Sequence, residues 1–426
     1  MVFKFGMSFC GLIMGVLFML GSGPAASAGV FRDSEVENVI KKISLPLFEV
    51  ANINADEVKV FIVDDNMVNA YVTQDNHIFI HRGLLKFSRD PAVVVGVIAH
   101  EIGHIAQHHL IKRAGEHRQE SLVQGIGYLL GMAAALVVDP KIAPVIIAGS
   151  STISQRMLLA HSRTQEEAAD QLALEYLDAA GYSHEGLLQV LRHFLQYESH
   201  VGSIDEYILT HPLSETRIRK VIGYSHKRKV VGFSHEDAAG FARIVDKTEA
   251  FLAPLDALKG RPLSPYMQAI VSFRAADAKK ALVLLDGLSA AAPADPYLRE
   301  IRAQILYKLG DINACIADYE AALTMLPDDV LIKLELAQAL LIKDPKQAVP
   351  YLEHVLSKER DNPYVWNQLA LAYGRAGSIG MSYFALAHRY FFEGNRGKSL
   401  AYAVLAKKYF DKNSLQSQLM NELTVS

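Results

Sequence analysis

The chain has 426 residues, 50% of them apolar and 21% charged, which is enough for two or three globular domains. Its net charge of -3 argues against a nucleic-acid surface. Cysteine is scarce: Cys10 lies in an apolar leader, so a processed chain keeps only Cys315 and forms no intrachain disulfide.

The chain opens with Lys4, an apolar core from Met7 to Leu20, breakers at Gly21 to Pro24, and then Ala26-Ser27-Ala28. This is the pattern of a cleavable export signal, with the cut expected before Gly29. An uncleaved membrane anchor is the rival reading, but the apolar run is short for a bilayer span. No Leu-x-Gly-Cys follows, which excludes a lipoprotein signal. Export in a bacterium means the periplasm.

Val36, Val39, Ile40 and Ile43 recur at helical spacing within Asp33–Leu47, an amphipathic helix that Pro46 is expected to limit. Val58–Val63, Asn69–Thr73 and His77–Ile80 read as three strands separated by turns at 64–66 and 74–76. Together they predict a small antiparallel sheet, a scaffold whose edge could also accept an extended peptide as a further strand. His77 and His81 read as surface histidines rather than ligands.

The apolar run Val93–Ala99 leads into His100-Glu101-Ile102-Gly103-His104. Residues i and i+4 share a helix face, so the two imidazoles can converge on one metal ion while Glu101 stands beside them as a proton acceptor. Zinc suits such nitrogens. An extended version of this pattern needs Gly and His further along, where this chain has Gln107 and Leu110. The third ligand must therefore come from farther away, and His108, His109 and His117 do not fit that pattern. Residues 122–150 are rich in small and apolar side chains, broken by Asp139-Pro140-Lys141. Each half is too short to span a bilayer, leaving either a buried helix pair or a hairpin that touches a membrane surface.

In the stretch Ser162–Asp170, Glu166 and Asp170 stand one helical turn apart. A carboxylate from a second helix would complete a His₂Glu site with one position open to water. Asp170 could then hold a ligand imidazole by its other nitrogen. Glu167 reads as solvated. These motifs, together with Asn69-Ala70, Gly83-Leu84-Leu85 and Thr210–Ile218, resemble the HtpX/BepA-like zinc metallopeptidases over roughly residues 35 to 225. The resemblance implies a mainly helical zincin-type domain binding one Zn²⁺ per chain through His100, His104 and Glu166, with Glu101 as general base. It also implies that His211 can act as a fourth ligand that covers the water position. Swung away, its imidazole could stabilise an oxyanion. Arg217 could add charge there or hold the peptide backbone. One departure is Asp75-Asn76-His77, where many members carry glycines.

Lys227-Arg228-Lys229 and Gly232 mark a boundary, and a helix around Phe241 to Leu252 is expected to bridge to a last domain. Pro293 and Pro327 are 34 residues apart, and Asp361-Asn362-Pro363 recurs about one period later. Small residues and aromatics fill the intervals in the manner of tetratricopeptide repeats, about four of them from Ser264 onward. Such pairs stack into a solenoid with a groove, and Trp366 is expected in its core.

The expected layout is a signal at 1–28, a metallopeptidase domain at 29–225, a linker at 226–263 and repeats at 264–426. The fold class is α+β followed by an all-α solenoid. The resulting reading is a periplasmic zinc endopeptidase for unfolded or misassembled envelope proteins. Its groove would recruit substrate or, by resemblance, outer-membrane β-barrel assembly machinery. Peripheral membrane contact through 122–150 and a chaperone with a largely latent metal site are the alternatives carried forward.

Overall fold

The computed structural model describes residues 29–55, 57–73, 77–116, 163–200, 211 and 213–425, with the backbone alone at 108–116, 163, 197–200 and 424–425. The export signal, the turn at 74–76, the apolar stretch 122–150, His117, Ser162, Thr210, Pro212 and the side chains of His108 and His109 lie outside the described residues. Two compact units result: residues up to Arg32 with Val36–Leu252, and Asp33–Glu35 with Ala253–Ser426.

The first unit begins with β1 (Val30–Phe31) and α1 (Ser34–Val50). Val36, Ile40 and Ile43 form the buried stripe of α1. Pro46 does not end this helix, which continues through it. A helical proline costs about 3 kcal/mol. Leu47 and Phe48 are both buried, and burial contributes roughly 1.5–3 kcal/mol for each such side chain.

β2 (Val60–Val63), β3 (Ala70–Val72) and β4 (Ile78–His81) join β1 in a four-stranded sheet of order β1-β2-β4-β3. β1 and β3 pair antiparallel to their neighbours, but β2 and β4 run parallel, with Ile62 opposite Ile80. The sheet is therefore mixed, not antiparallel as expected. β4 enters between β2 and β3, so the chain-order neighbours β2 and β3 do not touch as a hairpin would. Registration explains the packing. Phe61, Phe79 and Tyr71 stack across three strands on one face, with ring centroids 4.9 Å apart at each step. Ala70, Ile62 and Ile80 line up on the other face and are buried.

His81 is also a correction, because it is buried rather than at the surface. Its Nδ1 lies 3.8 Å from Asp65 Oδ2, while the next residue, Arg82, sits 2.9 Å from Asp64 Oδ1. Two acids in the turn after β2 thus fasten the end of β4. His77 is half-buried.

α2 (Arg82–Phe87) leads to α3 (Pro91–Glu116), whose residues Val93 to Ile105 are buried on every face. Against α3 lie α4 (Arg163–Ala180) and α5 (Glu185–His200), followed in the chain by α6 (Glu215–Ile222) and α7 (His235–Leu252). Gly96 and Gly103 make the close approach possible. A Cβ at Gly96 would stand 2.6 Å from the Leu187 backbone nitrogen of α5, and one at Gly103 would stand 2.7 Å from the Ala169 carbonyl oxygen of α4. The expected bridging helix, α7, clusters with this unit, and its Phe241 and Ile244 are fully buried.

The second unit is helical throughout its described residues. After the short α8 (Leu255–Leu258) come α9 (Pro265–Arg274), α10 (Ala278–Ala291), α11 (Pro296–Leu309), α12 (Ile312–Met325) and α13 (Val330–Lys343). They are followed by α14 (Pro345–Lys358), α15 (Pro363–Arg375), α16 (Ile379–Phe392), α17 (Arg396–Lys407) and α18 (Leu415–Val425). The first helix of each pair starts at 265, 296, 330, 363 and 396, a spacing of 31 to 34 residues. The pattern is tetratricopeptide-like, with four helix pairs and a closing fifth. Side-chain caps recur with the period: Ser264, Asp295, Asp329 and Asn362 each accept from a backbone N–H of the turn they open. Fully buried alanines at 281, 303, 322, 337, 348, 372, 385 and 403 let neighbouring helices close together. Trp366 is in the core, stacked on His388 with ring centroids 4.4 Å apart. No described helix is long and apolar enough to cross a membrane.

Candidate metal centre

α3 carries His100, Glu101 and His104 to the seam with α4, and α4 brings Glu166 and Asp170. His211 stands just ahead of α6, and Arg217 is in its first turn, after the Ser214 cap that accepts from the Arg217 N–H. All seven side chains are buried.

Four of them converge. His100 Nε2 and His104 Nε2 are 3.2 Å apart, and His100 Nε2 is 3.4 Å from His211 Nδ1. The Glu166 carboxylate places Oε2 at 3.3 Å from His100 Nε2 and Oε1 at 3.2 Å from His104 Nε2. Both of its oxygens are 3.2 Å from His211 Nδ1. Ligands held at about 2.0–2.1 Å around a tetrahedral ion stand about 3.3–3.4 Å from one another, the bond length times 1.63. The donor spacing therefore fits a four-coordinate ion of zinc size, and His100, His104, Glu166 and His211 are the group able to hold one among the described residues.

Behind the donors lies a second layer of charge. His100 Nδ1 sits 2.9 Å from Asp170 Oδ1, the contact that fixes which ring nitrogen faces inward. Arg217 grips Asp170 with a fork, Nε donating to Oδ2 at 2.6 Å and Nη2 to Oδ1 at 2.9 Å. Its Nη1 reaches Glu166 Oε2 at 2.9 Å. The guanidinium is 0% exposed. Arg217 thus stands behind the donors, where its fork on Asp170 and its contact with Glu166 suit it to positioning the ligand frame.

The protonation of the group follows from these contacts. Burial alone would depress His100, but Asp170 and Glu166 outweigh it and carry its pKa up to about 10. Burial would raise Glu166 as well, yet His211, His100 and His104 hold it far below the carboxylate range. Burial would also raise Asp170, but Arg217 and His100 bring it to about 2. The inner cluster holds its carboxylates as anions and needs positive charge between its nitrogens. An arriving metal ion would replace a proton on His100.

Glu101 differs. Burial raises its pKa, with His211 and His100 opposing, and the Val72 backbone N–H at the sheet edge bonds to its carboxylate. The Glu101 Oε1 is buried without a hydrogen bond, 3.7 Å from His211 Nε2. A carboxylate lifted towards neutrality, with one free oxygen, is suited to taking and returning a proton.

Residues 32–224 match peptidase family M48. The first unit is a family M48 peptidase domain. The chain is a metallopeptidase, and its M48 domain holds every residue of the cluster just described. Over a longer stretch that includes the M48 domain, the chain is 23% identical to the beta-barrel assembly-enhancing protease of Yersinia pestis over 365 residues, 83% of this chain and 75% of that one. It is 21% identical to the protein of the same name from Escherichia coli (strain K12), over 403 residues, 92% of this chain and 82% of the relative. Among solved structures, MamA 41-end from Desulfovibrio magneticus RS-1 covers 37% of this chain and 88% of its own, at 18% identity and a TM-score of 0.30.

Two contributors to the M48 centre were not foreseen. Gly103 sets the α3–α4 distance, and with Gly96 it falls seven residues along one helix face, a spacing visible in the sequence. The Val72 N–H that touches Glu101 leaves no sequence signal, because any residue of an edge strand supplies one.

Proposed function

We propose that the chain is a zinc-dependent endopeptidase of the bacterial periplasm acting on unfolded or misassembled envelope proteins. The observation that carries this reading is the convergence of four buried donor side chains, their ligand atoms within 4.8 Å of one another, with a Glu101 oxygen that lacks a hydrogen bond beside them. His100, His104 and Glu166 would hold the ion, oriented by Asp170 and Arg217. Bound there, zinc would make water acidic enough to lose a proton near neutral pH and would polarise a peptide carbonyl. Glu101 takes that proton and delivers it to the departing amine. Among the described residues β3 is an edge strand of the sheet, and it would offer an extended substrate backbone hydrogen bonds beside Glu101.

His211 gives the second reading its basis. With His100, His104 and Glu166 on an ion, its Nδ1, 3.4 Å from His100 Nε2 and 3.2 Å from Glu166 Oε1, would fill the fourth position, where water would otherwise enter. The enzyme would then rest in a latent state until His211 moves, compatible with a chaperone or assembly role in between. The names of the relatives support outer-membrane β-barrel assembly as the setting, with the helical repeats recruiting substrate or assembly partners. Export through the leader agrees with that setting.

The test pairs metal analysis with Glu101→Gln. Purified protein should carry one zinc per chain, and Glu101→Gln should keep it while losing cleavage of an unfolded substrate by at least about 100-fold. Wild-type turnover in Glu101→Gln, or no stoichiometric zinc, would sink the proposal.

A further inference from the structure

The second unit contains a cavity of about 600 Å³ that the peptidase chemistry does not use. It opens between the C-terminal ends of α14 and α16 and is closed by α18. Phe391, Phe392, Leu419 and Leu423 make it apolar, and Phe391 is 40% exposed. At its mouth stand two exposed cations, Lys358 and Arg360, and neither makes an ion pair among the described residues.

The rest of the lining accepts hydrogen bonds. His388 Nδ1 lies 3.0 Å from the Phe384 carbonyl, so that nitrogen carries the hydrogen and Nε2 is left as an acceptor. Asp361 and Glu422 complete the rim and have further interactions of their own. The ligand that answers this lining has an apolar body, a negative group beside it, and N–H donors for the acceptors. A fatty acid supplies the first two but no donor. A polypeptide C-terminus ending in a large apolar residue supplies all three.

We propose that this cavity captures the C-terminal residue of a substrate polypeptide, its aromatic or aliphatic side chain on Phe391 and Phe392 and its carboxylate between Lys358 and Arg360. This deepens, and rests on, the role proposed above for the repeats in recruiting protein substrates. Capture of a chain end would hold an unfolded polypeptide without recognising its interior sequence.

The experiment is a fluorescence-polarisation titration of the full chain carrying Glu101→Gln, so that neither cleavage nor turnover enters the readout. The probe is a decapeptide labelled at its N-terminus and ending in phenylalanine with a free carboxylate. Saturable binding is expected, weakened about 10- to 100-fold by amidating the C-terminus, the loss of charge-assisted hydrogen bonds. Lys358→Glu with Arg360→Glu should weaken it as much, with an unchanged circular dichroism spectrum because both residues are exposed. Equal affinity for acid and amide overturns the proposal, as does unaltered binding by the charge-reversed chain. Binding of dodecanoate without binding of the peptide overturns it in favour of a lipid ligand. None of these outcomes bears on zinc content or Glu101, so the metal-centre reading stands or falls separately.

Discussion

Replacing Gly103 with Ala should uncouple the metal from the fold. The added Cβ would stand 2.7 Å from the Ala169 carbonyl oxygen and 3.0 Å from its Cα, where ordinary contact begins at 3.4 Å. The obstacle is backbone, so no side chain can swing aside. α4 must retreat by about 0.7 Å, the difference between those two distances. Glu166 sits on α4 one turn before Ala169 and moves with it. Donor spacings of 3.2–3.3 Å between Glu166 and the two α3 histidines would open by a similar amount. Metal sites tolerate about 0.2 Å. The overpacking itself should cost only about 1–3 kcal/mol, leaving the unit folded. Zinc affinity, measured by competition with a chromogenic chelator, should fall by about 10- to 100-fold. Gly287→Ala is the control: it is an exposed helical position in α10 with nothing within 4 Å of the added carbon. That change should stabilise by about 0.5–1 kcal/mol and leave zinc untouched. If Gly103→Ala binds zinc as tightly as wild type, the spacing argument for the centre is wrong.

Three further outcomes are expected. Arg217→Met strands Asp170 and Glu166 as buried anions, a loss of about 3–5 kcal/mol that should lower the Tm of the peptidase unit by roughly 6–20 °C; calorimetry showing no shift would rule out the anchoring role. His211→Ala should raise cleavage of unfolded casein about tenfold if the covered form outweighs the open one ten to one, with zinc retained; a fall in rate with full zinc occupancy would instead make His211 a participant in catalysis. The third concerns His184, whose Nδ1 is 2.8 Å from His226 Nε2, itself bonded through Nδ1 to Asp178 at 3.1 Å. Burial and then the His226 charge lower the His184 pKa below 6.5. The unfolded chain therefore binds the extra proton more readily, and stability should fall as pH drops from about 6.5 towards the lowered value and be flat above it. Urea unfolding from pH 5 to 7.5 should show that slope, and His184→Gln should flatten it.

The convergence of the candidate ligands was legible because it was written in local spacing. His100 and His104 are one turn apart, as are Glu166 and Asp170, and helical geometry alone puts each pair on one face. The repeats were legible for a similar reason, since caps and prolines recur at nearly constant intervals. What was not legible depended on long-range choices. The alternation in β2 and β4 defined their faces but not their neighbours, so their parallel pairing was missed. Pro46 announced a helix end that buried Leu47 and Phe48 override. Arg217 could have faced solvent, substrate or ligands, and only the position of α6 against α4 decides among them.

His211 and Arg217 belong to one short segment, with Ser214 capping the helix between them. Arg217 is bound into the ligand frame through its fork on Asp170 and its contact with Glu166, and His211 meets that frame through its ring. The segment therefore resembles a latch whose hinge is screwed to the door frame. On the reading proposed above, lifting the latch would clear the fourth vertex without loosening the screws, and switching the protease would not cost it the metal.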